Sequence, residues 1–304
     1  MKIGNVELKS DVILAPMAGV TDVAFRELCS YFGAGLTCTE MVSVKALSYL
    51  NKKTKELLKT FEGEHPVAVQ LFGHEPKVFE KVIKSGILDN FDIIDINMGC
   101  PAPKIVKNGD GSALLKNMDL AREIILACVS ATDKPITIKF RKGFGLNDDV
   151  LVPFAKMCEQ AGASAITIHP RTQAQGYSGK IDIGDIEKVK KAVSIPVIGN
   201  GDVDSKETFE KMKSVCDCVM IGRASVGHPE IFSVLTNKKL DIQPMTIAKK
   251  HIEIMKKYYD DEYISKIFKR HAFSYVDNRV GAVELRRKIA LAQNLSEIEK
   301  CIFE

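Results

Sequence analysis

Short runs of apolar, often β-branched residues recur along the chain and alternate with segments in which apolar positions return every third or fourth residue. The first pattern is typical of buried strands and the second of amphipathic helices. Strands are predicted at residues 12–15, 36–39, 67–72, 91–96, 136–140, 165–169, 197–199 and 218–221. Helices between them are predicted at residues 75–85, 118–129, 150–160, 186–192 and 205–212. Eight strands that alternate with helices predict an α/β fold of the (β/α)8 type, the TIM barrel.

After about residue 240 the strand-like runs end, and helical patterns follow at 246–259, 263–273 and 283–293. We therefore predict a barrel domain over residues 1–240 and a small all-helical domain over residues 241–304. Basic residues form two local clusters in the second domain, namely Lys266, Lys269, Arg270 and His271, and then Arg286, Arg287 and Lys288. They could bind a polyanion, or they could be the solvated face of exposed helices.

Composition narrows the class of protein. The 304 residues are 45% hydrophobic, which is enough for the core of a large barrel with a small appendage. The formal net charge of +4 permits a polyanionic partner without requiring one. No apolar run approaches the roughly 18 residues that span a membrane, and the first ten residues hold no secretory stretch, so we expect a cytoplasmic protein without a membrane partner. The eight cysteines form no CxxC pair, so we expect no metal site and seven buried, reduced thiols.

The eighth thiol, Cys100, follows the predicted strand at 91–96. A thiol on a loop that leaves a strand faces a pocket. Polar residues also lie at the ends of other predicted strands: Gln70, Lys139, His169, Asn200 and Arg223. Polar groups that converge from strand ends are how a barrel builds its active site. The glycine turns Gly199-Asn200-Gly201-Asp202 and Gly222-Arg223 follow the last two strands, where barrels often bind phosphate.

Seven motifs together resemble the tRNA-dihydrouridine synthases over about residues 1 to 300. In chain order they are APMAGVTD (15–22), QLFG (70–73), DINMGCP (95–101), KFR (139–141), HPR (169–171), NGD (200–202) and MIGR (220–223). The first and the NGD turn occur in other flavin barrels, whereas NMGCP joined to both is highly specific. Within the family the chain is most similar to the bacterial B-type branch.

The resemblance implies that flavin mononucleotide (FMN) lies across the top of the barrel. Backbone amides of the two glycine turns at Asn200, Gly201 and Asp202 and at Gly222 and Arg223 would hold its phosphate, with the Arg223 guanidinium as charge partner. Pro16, Met17 and Ala18 would back the ring, while Gln70 and His169 would contact its polar edge. Lys139 would stand beside N1 and O2, where negative charge settles on reduction. Each of these polar residues could instead be merely structural.

The resemblance also implies roles toward a uracil base. Reduction of its C5–C6 bond takes a hydride to C6 and a proton to C5 from the opposite face, and Cys100 is expected to give that proton. The thiol must stay protonated, which apolar surroundings favour. Asn97, Arg141 and Arg171 are expected to bind the uracil edge. The polar, glycine-rich loop at 103–112 could close over RNA.

The implied activity is the FMN-dependent reduction of uridines in tRNA to 5,6-dihydrouridine, driven by NADPH or NADH, in a monomeric enzyme. Gly143-Phe144-Gly145 lacks the third glycine of a dinucleotide fingerprint, so nicotinamide and tRNA would share one flavin face in turn. Two alternatives stay open. One is an FMN barrel that acts on a small pyrimidine, and the other is a non-catalytic RNA-binding barrel.

Overall fold

The computed structural model describes residues 1–238, 244–277 and 279–304. Eight parallel strands form one sheet in the order β3-β10-β9-β8-β7-β6-β5-β4. They are β3 (Val12–Leu14), β4 (Thr37–Ser43), β5 (Val67–Phe72), β6 (Ile93–Met98), β7 (Ile136–Arg141), β8 (Ala165–His169), β9 (Val197–Asn200) and β10 (Cys218–Ile221). Ile13 bridges to Leu36, and the Leu14 amide donates to the Leu36 carbonyl at 3.0 Å, which closes the ring. The expected barrel is confirmed.

Ten helices accompany the strands up to residue 235. They are α1 (Val23–Phe32), α2 (Val44–Ser48), α3 (Lys52–Glu56), α4 (Pro76–Lys84), α5 (Pro103–Lys107), α6 (Met118–Val129), α7 (Leu151–Gln160), α8 (Ile183–Lys190), α9 (Lys206–Lys213) and α10 (Ile231–Leu235). Five of them were not predicted, namely α1, α2, α3, α5 and α10, although α1 has clear signals. Asp22 accepts from the Phe25 amide at its start, and Gly33 ends it in the left-handed region.

The barrel contains two separate apolar cores, because successive side chains of each strand point to opposite faces. The outer core lies between strands and helices and includes Ile94, Ile96 and Phe140. The inner core fills the lower barrel and includes Ile13, Ala68 and Ile198. An unpredicted antiparallel hairpin, β1 (Lys2–Ile3) and β2 (Val6–Glu7), closes the bottom with buried Ile3 and Leu8. The upper interior is therefore left to polar side chains.

Five helices form the C-terminal tail: α11 (Pro244–Met255), α12 (Asp261–Ile267), α13 (Lys269–Tyr275), α14 (Ala282–Leu291) and α15 (Leu295–Phe303). The helix expected at 263–273 is two helices that part at the buried Phe268, and α15 was not predicted. The expected domain boundary at 240/241 lies outside the described residues. The tail packs on α1, where Lys257 and Tyr258 both bind Glu27 at 2.5 Å.

Two histidines are buried where the tail meets α1. The rings of His251 and His271 lie 4.6 Å apart, and each also packs against Phe25. Within the described residues, His251 Nε2 and His271 Nδ1 have no hydrogen-bond partner. Burial lowers the pKa of His271 to about 4 and that of His251 well below its ordinary value, so both rings are neutral at pH 7.

All eight cysteines are free thiols. Six are buried, whereas Cys100 and Cys301 are half-buried. The expectation of seven buried thiols is therefore wrong at Cys301, which lies in the amphipathic α15 near the chain end. In the described part of the chain, no helix is both long enough and apolar enough to cross a membrane.

Candidate active site

A cavity of about 1070 Å³ opens at the carboxyl end of the barrel, a volume suited to a cofactor together with part of a substrate. Every residue expected at the site contributes to its lining except Arg171. The lining expected from sequence is Pro16, Met17, Ala18, Gln70, Asn97, Cys100, Lys139, Arg141, His169, Asn200, Gly201, Asp202, Gly222 and Arg223.

Polar side chains of the strand interiors form the floor of the cavity. Gln70 and Lys139 lie within β5 and β7, not at their ends, and the alternation of the strands turns both inward. Gln70 Nε2 donates to Asp95 Oδ2 at 2.7 Å, and Asn97 Nδ2 donates to Gln70 Oε1 at 2.8 Å. Thr137 Oγ1 donates to Asp95 Oδ1 at 2.6 Å, while burial raises the Asp95 pKa to about 6. This network leaves one Gln70 N–H for a ligand.

Lys139 places a cation beside that network, next to Asn97 and Thr167 in the strand register. Burial and then the charge of Arg141 lower its pKa to about 8, and Asp95 opposes the shift. In the part of the chain that the structure describes, no carboxylate forms an ion pair with this ammonium. An anion bound in the cavity would therefore stabilise it, which fits the electron-rich edge of a reduced flavin.

Hydrogen bonds from side chains fix the backbone of the loop that carries Cys100. Asn97 Oδ1 accepts from the Gly99 amide at 3.1 Å and from the Cys100 amide at 2.8 Å. The Ser112 hydroxyl and amide donate to the Cys100 carbonyl at 2.9 and 3.1 Å. Burial raises the pKa of the Cys100 thiol above its ordinary value, against the opposing effects of the Ala102 amide and Arg141. The thiol is thus held in place and protonated at neutral pH.

The loop at 103–112, expected as a lid, is folded against this thiol. It forms α5 and the start of a 3-10 helix (Gly111–Lys116), and Asp110 binds His74 Nδ1 at 2.7 Å. The loop therefore already covers one side of the Cys100 backbone.

Arg141 and Arg171 mainly hold loops. Arg141 lines the cavity and donates to the carbonyls of Gly99 at 2.9 Å and Gly176 at 2.7 Å. Arg171 is buried behind the wall and binds both carboxylate oxygens of Asp202, at 2.9 and 2.5 Å. The donors of Arg171 are bound to Asp202 and His169, which line the cavity, and to the carbonyls of Ser178 and Gly179, and its expected contact with the uracil edge stays a prediction.

Arg171 also sets the state of His169. Its Nη1 lies 3.2 Å from His169 Nε2, which must accept, so the ring proton lies on Nδ1. Burial, and then the charge of Lys139, lower the pKa of His169 to about 2. His169 is therefore a neutral ring with a fixed tautomer on the wall of the cavity.

The two glycine turns stand together at one side of the cavity. Gly201 has φ +142°, and a Cβ there would lie 3.2 Å from His169 Cδ2, so the close approach requires glycine. Arg223 begins a short 3-10 helix (Arg223–Ser225), is exposed and stacks 4.7 Å from the Tyr177 ring centre. Its Nη2 lies 3.2 Å from Asp202 Oδ1. Backbone turns beside a guanidinium suit a phosphate group.

Three residues near this cavity were not among the expected site residues, although Arg270 was named in a basic cluster of the tail. Tyr177 stacks on Arg141 as well as Arg223, Glu40 accepts from the Gly19 amide, and Arg270 lines the cavity mouth. Glu40 directly follows the predicted strand at 36–39, so its place after a strand end could have suggested it. Arg270 carries no such signal, because its contact spans 252 residues of sequence.

A family model described as "Dihydrouridine synthase (Dus)" matches residues 13–303. The chain belongs to the dihydrouridine synthase family. It is similar to the tRNA-dihydrouridine synthase B of Vibrio vulnificus, with 38% identity over 94% of this chain and 92% of that protein. It is also similar to the protein of the same name from Pseudomonas aeruginosa, with 36% identity over 97% of this chain and 92% of that protein.

The barrel fold of this chain also occurs in solved structures of other proteins. Morphinone reductase matches with a TM-score of 0.58 at 13% identity, over 81% of this chain and 91% of that one. Histamine dehydrogenase from Rhizobium sp. 4-9 matches with a TM-score of 0.61 at 13% identity, over 84% of this chain and 50% of that one. Likeness at such low identity establishes the fold alone.

Proposed function

We propose that this dihydrouridine synthase binds FMN and uses NADPH or NADH to reduce uridines in tRNA to 5,6-dihydrouridine. One observation carries the proposal: a protonated thiol, Cys100, lines the same cavity as Lys139, a cation that no carboxylate of the described residues pairs. The names of the Vibrio and Pseudomonas relatives support tRNA as the substrate. We further propose that the protein acts as a monomer in the cytoplasm.

The residues of the cavity suit FMN. Met17 and its neighbours Pro16 and Ala18 offer an apolar wall for the ring, and the turns at Gly201 and Gly222 offer backbone to its phosphate. Lys139 would stabilise negative charge at N1 and O2, and the remaining Gln70 N–H would bind the polar edge. When bound, FMN would supply the hydride that the reduction of uracil requires.

The other half of the reaction falls to the chain itself. Cys100 would donate the proton to uracil C5, because its raised pKa keeps the thiol protonated. Asn97 and Arg141 would position that thiol through their hydrogen bonds to the Gly99–Cys100 backbone. Arg171 would act indirectly, because it fixes the tautomer of His169 and the position of the Asp202 carboxylate, and both of these residues line the cavity. The target base would have to leave its stack in the tRNA to enter the cavity.

The two half-reactions give a direct test. The FMN-loaded protein is reduced by NADPH without oxygen, excess nicotinamide is removed, and an unmodified tRNA transcript is added. We expect the flavin absorbance to return and dihydrouridine to form in the transcript. Reoxidation by a free pyrimidine but not by tRNA would favour the small-molecule alternative, and a protein that retains no flavin would favour the non-catalytic one.

A further inference from the structure

Arg270 brings a charge from the tail to the mouth of the barrel cavity. Its Nη1 donates to the carbonyl of Ala18 at 2.6 Å, in the loop that lines the proposed flavin site. Gly19 has φ +68°, and a Cβ at that position would lie 2.8 Å from Arg270 Nη1. The guanidinium therefore rests directly on the backbone of this loop, 252 residues away in sequence.

The charge of Arg270 is more available than that of Arg171 or Arg223. Arg171 and Arg223 share the Asp202 carboxylate, whereas Arg270 forms no ion pair within 4.0 Å among residues 1–238, 244–277 and 279–304. Its only hydrogen bond there is to a neutral carbonyl, and a guanidinium has five N–H donors. Exposed at the opening, the remaining donors can reach an anion that enters from solvent.

A polynucleotide substrate would supply that anion through its phosphodiesters. A base that enters the cavity stays attached to its strand, so the phosphodiesters on either side of it must lie at the mouth. Glu40 is the nearby acid: its carboxylate accepts from the Gly19 amide, and burial raises its pKa against the opposing effects of that amide and of the charges of Arg26 and Arg270. A planar guanidinium held against the loop backbone is a suitable partner for one phosphodiester.

We propose that Arg270 binds a backbone phosphodiester of the RNA strand that carries the target uridine. Its hydrogen bond to Ala18 then fixes that phosphate relative to the loop that backs the flavin. The inference rests on the proposed function and adds a specific anchor for the substrate to it.

The same geometry would suit a purely structural link between tail and barrel, and the test must separate the two. A structural link acts through the Ala18 loop, so its loss would weaken FMN retention and slow flavin reduction by NADPH. A phosphate contact acts only on RNA, so its loss would change tRNA affinity and the salt dependence of that affinity.

The experiment uses the full FMN-loaded protein with Arg270→Ala, Arg270→Lys and a matched control, Arg122→Ala. Arg122 is exposed on the outer helix α6 and does not line the cavity. Equilibrium binding of unmodified tRNA is measured at several salt concentrations, alongside FMN retention, thermal midpoint and the NADPH half-reaction. We expect Arg270→Ala to raise the tRNA Kd by roughly ten- to a hundredfold and to reduce the salt slope by about one. Arg270→Lys should fall between it and the parent, and Arg122→Ala should match the parent.

Two results would overturn the inference. One is an unchanged tRNA Kd and salt slope in Arg270→Ala, and the other is a loss of FMN retention that parallels the loss of tRNA binding. In both, a parent protein that still binds and reduces tRNA would leave the proposed function standing. A parent that binds no tRNA would overturn both.

Discussion

The barrel cavity and the C-terminal tail both concentrate basic residues, but they use the charge in opposite ways. In the cavity, Arg223 shares Asp202, but Lys139 and the Arg270 that the tail brings to the mouth have no paired carboxylate among the described residues. In the tail, Lys266 pairs with Glu262 at 2.6 Å, Arg286 with Asp277 at 2.7 Å and Arg287 with Glu284 at 3.7 Å. The comparison teaches that a count of basic residues overstates the charge that a segment offers to a partner.

Lys269 extends the same contrast within the first tail cluster. Its ammonium donates to the carbonyls of Ala290 at 2.9 Å and Ala292 at 2.7 Å, at the carboxyl end of α14. A cation there stabilises the exposed carbonyls of a helix end. Its neighbour Arg270 faces the cavity instead, so adjacent cations in one cluster serve structure and ligand separately.

The largest effect is expected from the thiol, which the cavity keeps protonated. Cys100→Ala should slow tRNA reduction by about 10² to 10⁴-fold, the usual contribution of a general acid, in single-turnover assays. FMN retention and reduction by NADPH should stay near the parent level, because the thiol does not hold the cofactor. Cys301→Ala, a half-buried thiol of the tail, is the control and should match the parent. An unchanged rate in Cys100→Ala would remove this residue from the reaction.

The second-largest effect is expected from the loss of Lys139, which no carboxylate of the described residues pairs. Lys139→Met should lower the flavin reduction potential and slow the NADPH half-reaction by about 10²-fold, because charge on the reduced ring loses its partner. Lys142→Met is the matched control, since Lys142 binds Asp185 at 2.6 Å outside the cavity lining. Equal potentials in the two variants would contradict the role assigned to Lys139.

The tail buries the neutral ring of His271, whereas the cavity buries the ammonium of Lys139. Because a buried neutral histidine resists protonation, the stability of the folded protein should depend on pH. The folded pKa of His271 is about 4, below the ordinary 6.5, so between these values the unfolded chain binds a proton that the folded chain does not. Stability should therefore fall as the pH drops below 6.5, by about 2 kcal/mol for this group between pH 6.5 and 5.

Urea unfolding midpoints at pH 7.5 and pH 5 test this prediction. His271→Phe should reduce the dependence without abolishing it, because the buried neutral rings of His251 and His169 contribute in the same direction. His65→Gln, at an exposed histidine, is the control. If the parent is equally stable at both pH values, His271 does not resist protonation as its burial implies.

The smallest effect is expected from the paired cations of the tail. Replacement of Lys266, Arg286 and Arg287 together by alanine should change the tRNA Kd by less than about threefold, because surface ion pairs contribute little and already offset these charges. Binding at matched salt against Arg270→Ala measures the contrast. A loss larger than that of Arg270→Ala would show that the clusters expected from sequence are the main RNA contact.

The sequence was sufficient for the barrel, and every expected site residue except Arg171 lies in the lining of the cavity. The strands β5, β8 and β10 have the predicted bounds, because their residues are buried on both faces and read as continuous apolar runs. Because such runs are apolar almost throughout, they do not show which side chains point into the barrel. Gln70 and Lys139 were therefore expected at strand ends, whereas they lie within strands. In the tail, the periodicity runs through Phe268, since a break between two packed helices leaves its apolar spacing intact.

What could not be predicted depends on contacts between distant segments. The motif residues Arg141 and Arg171 were expected to face the substrate, but which donors remain free depends on carbonyls of the loop at 172–179. The roles of Arg270 and of the paired tail cations depend likewise on tertiary packing. Charge and residue type are visible in a sequence, whereas the partner that occupies a charge is not.

The contact between Ala18 and Arg270 also has a consequence for synthesis. A ribosome completes the first wall of the cavity mouth near the start of translation and the opposing arginine only near the end. Domains generally fold in order as they emerge, so the Ala18 loop leaves the ribosome long before its partner is made. A chain that terminates before the tail lacks both this donor and the residues that pack on α1. Completion of translation would then be a condition for the proposed contact with RNA.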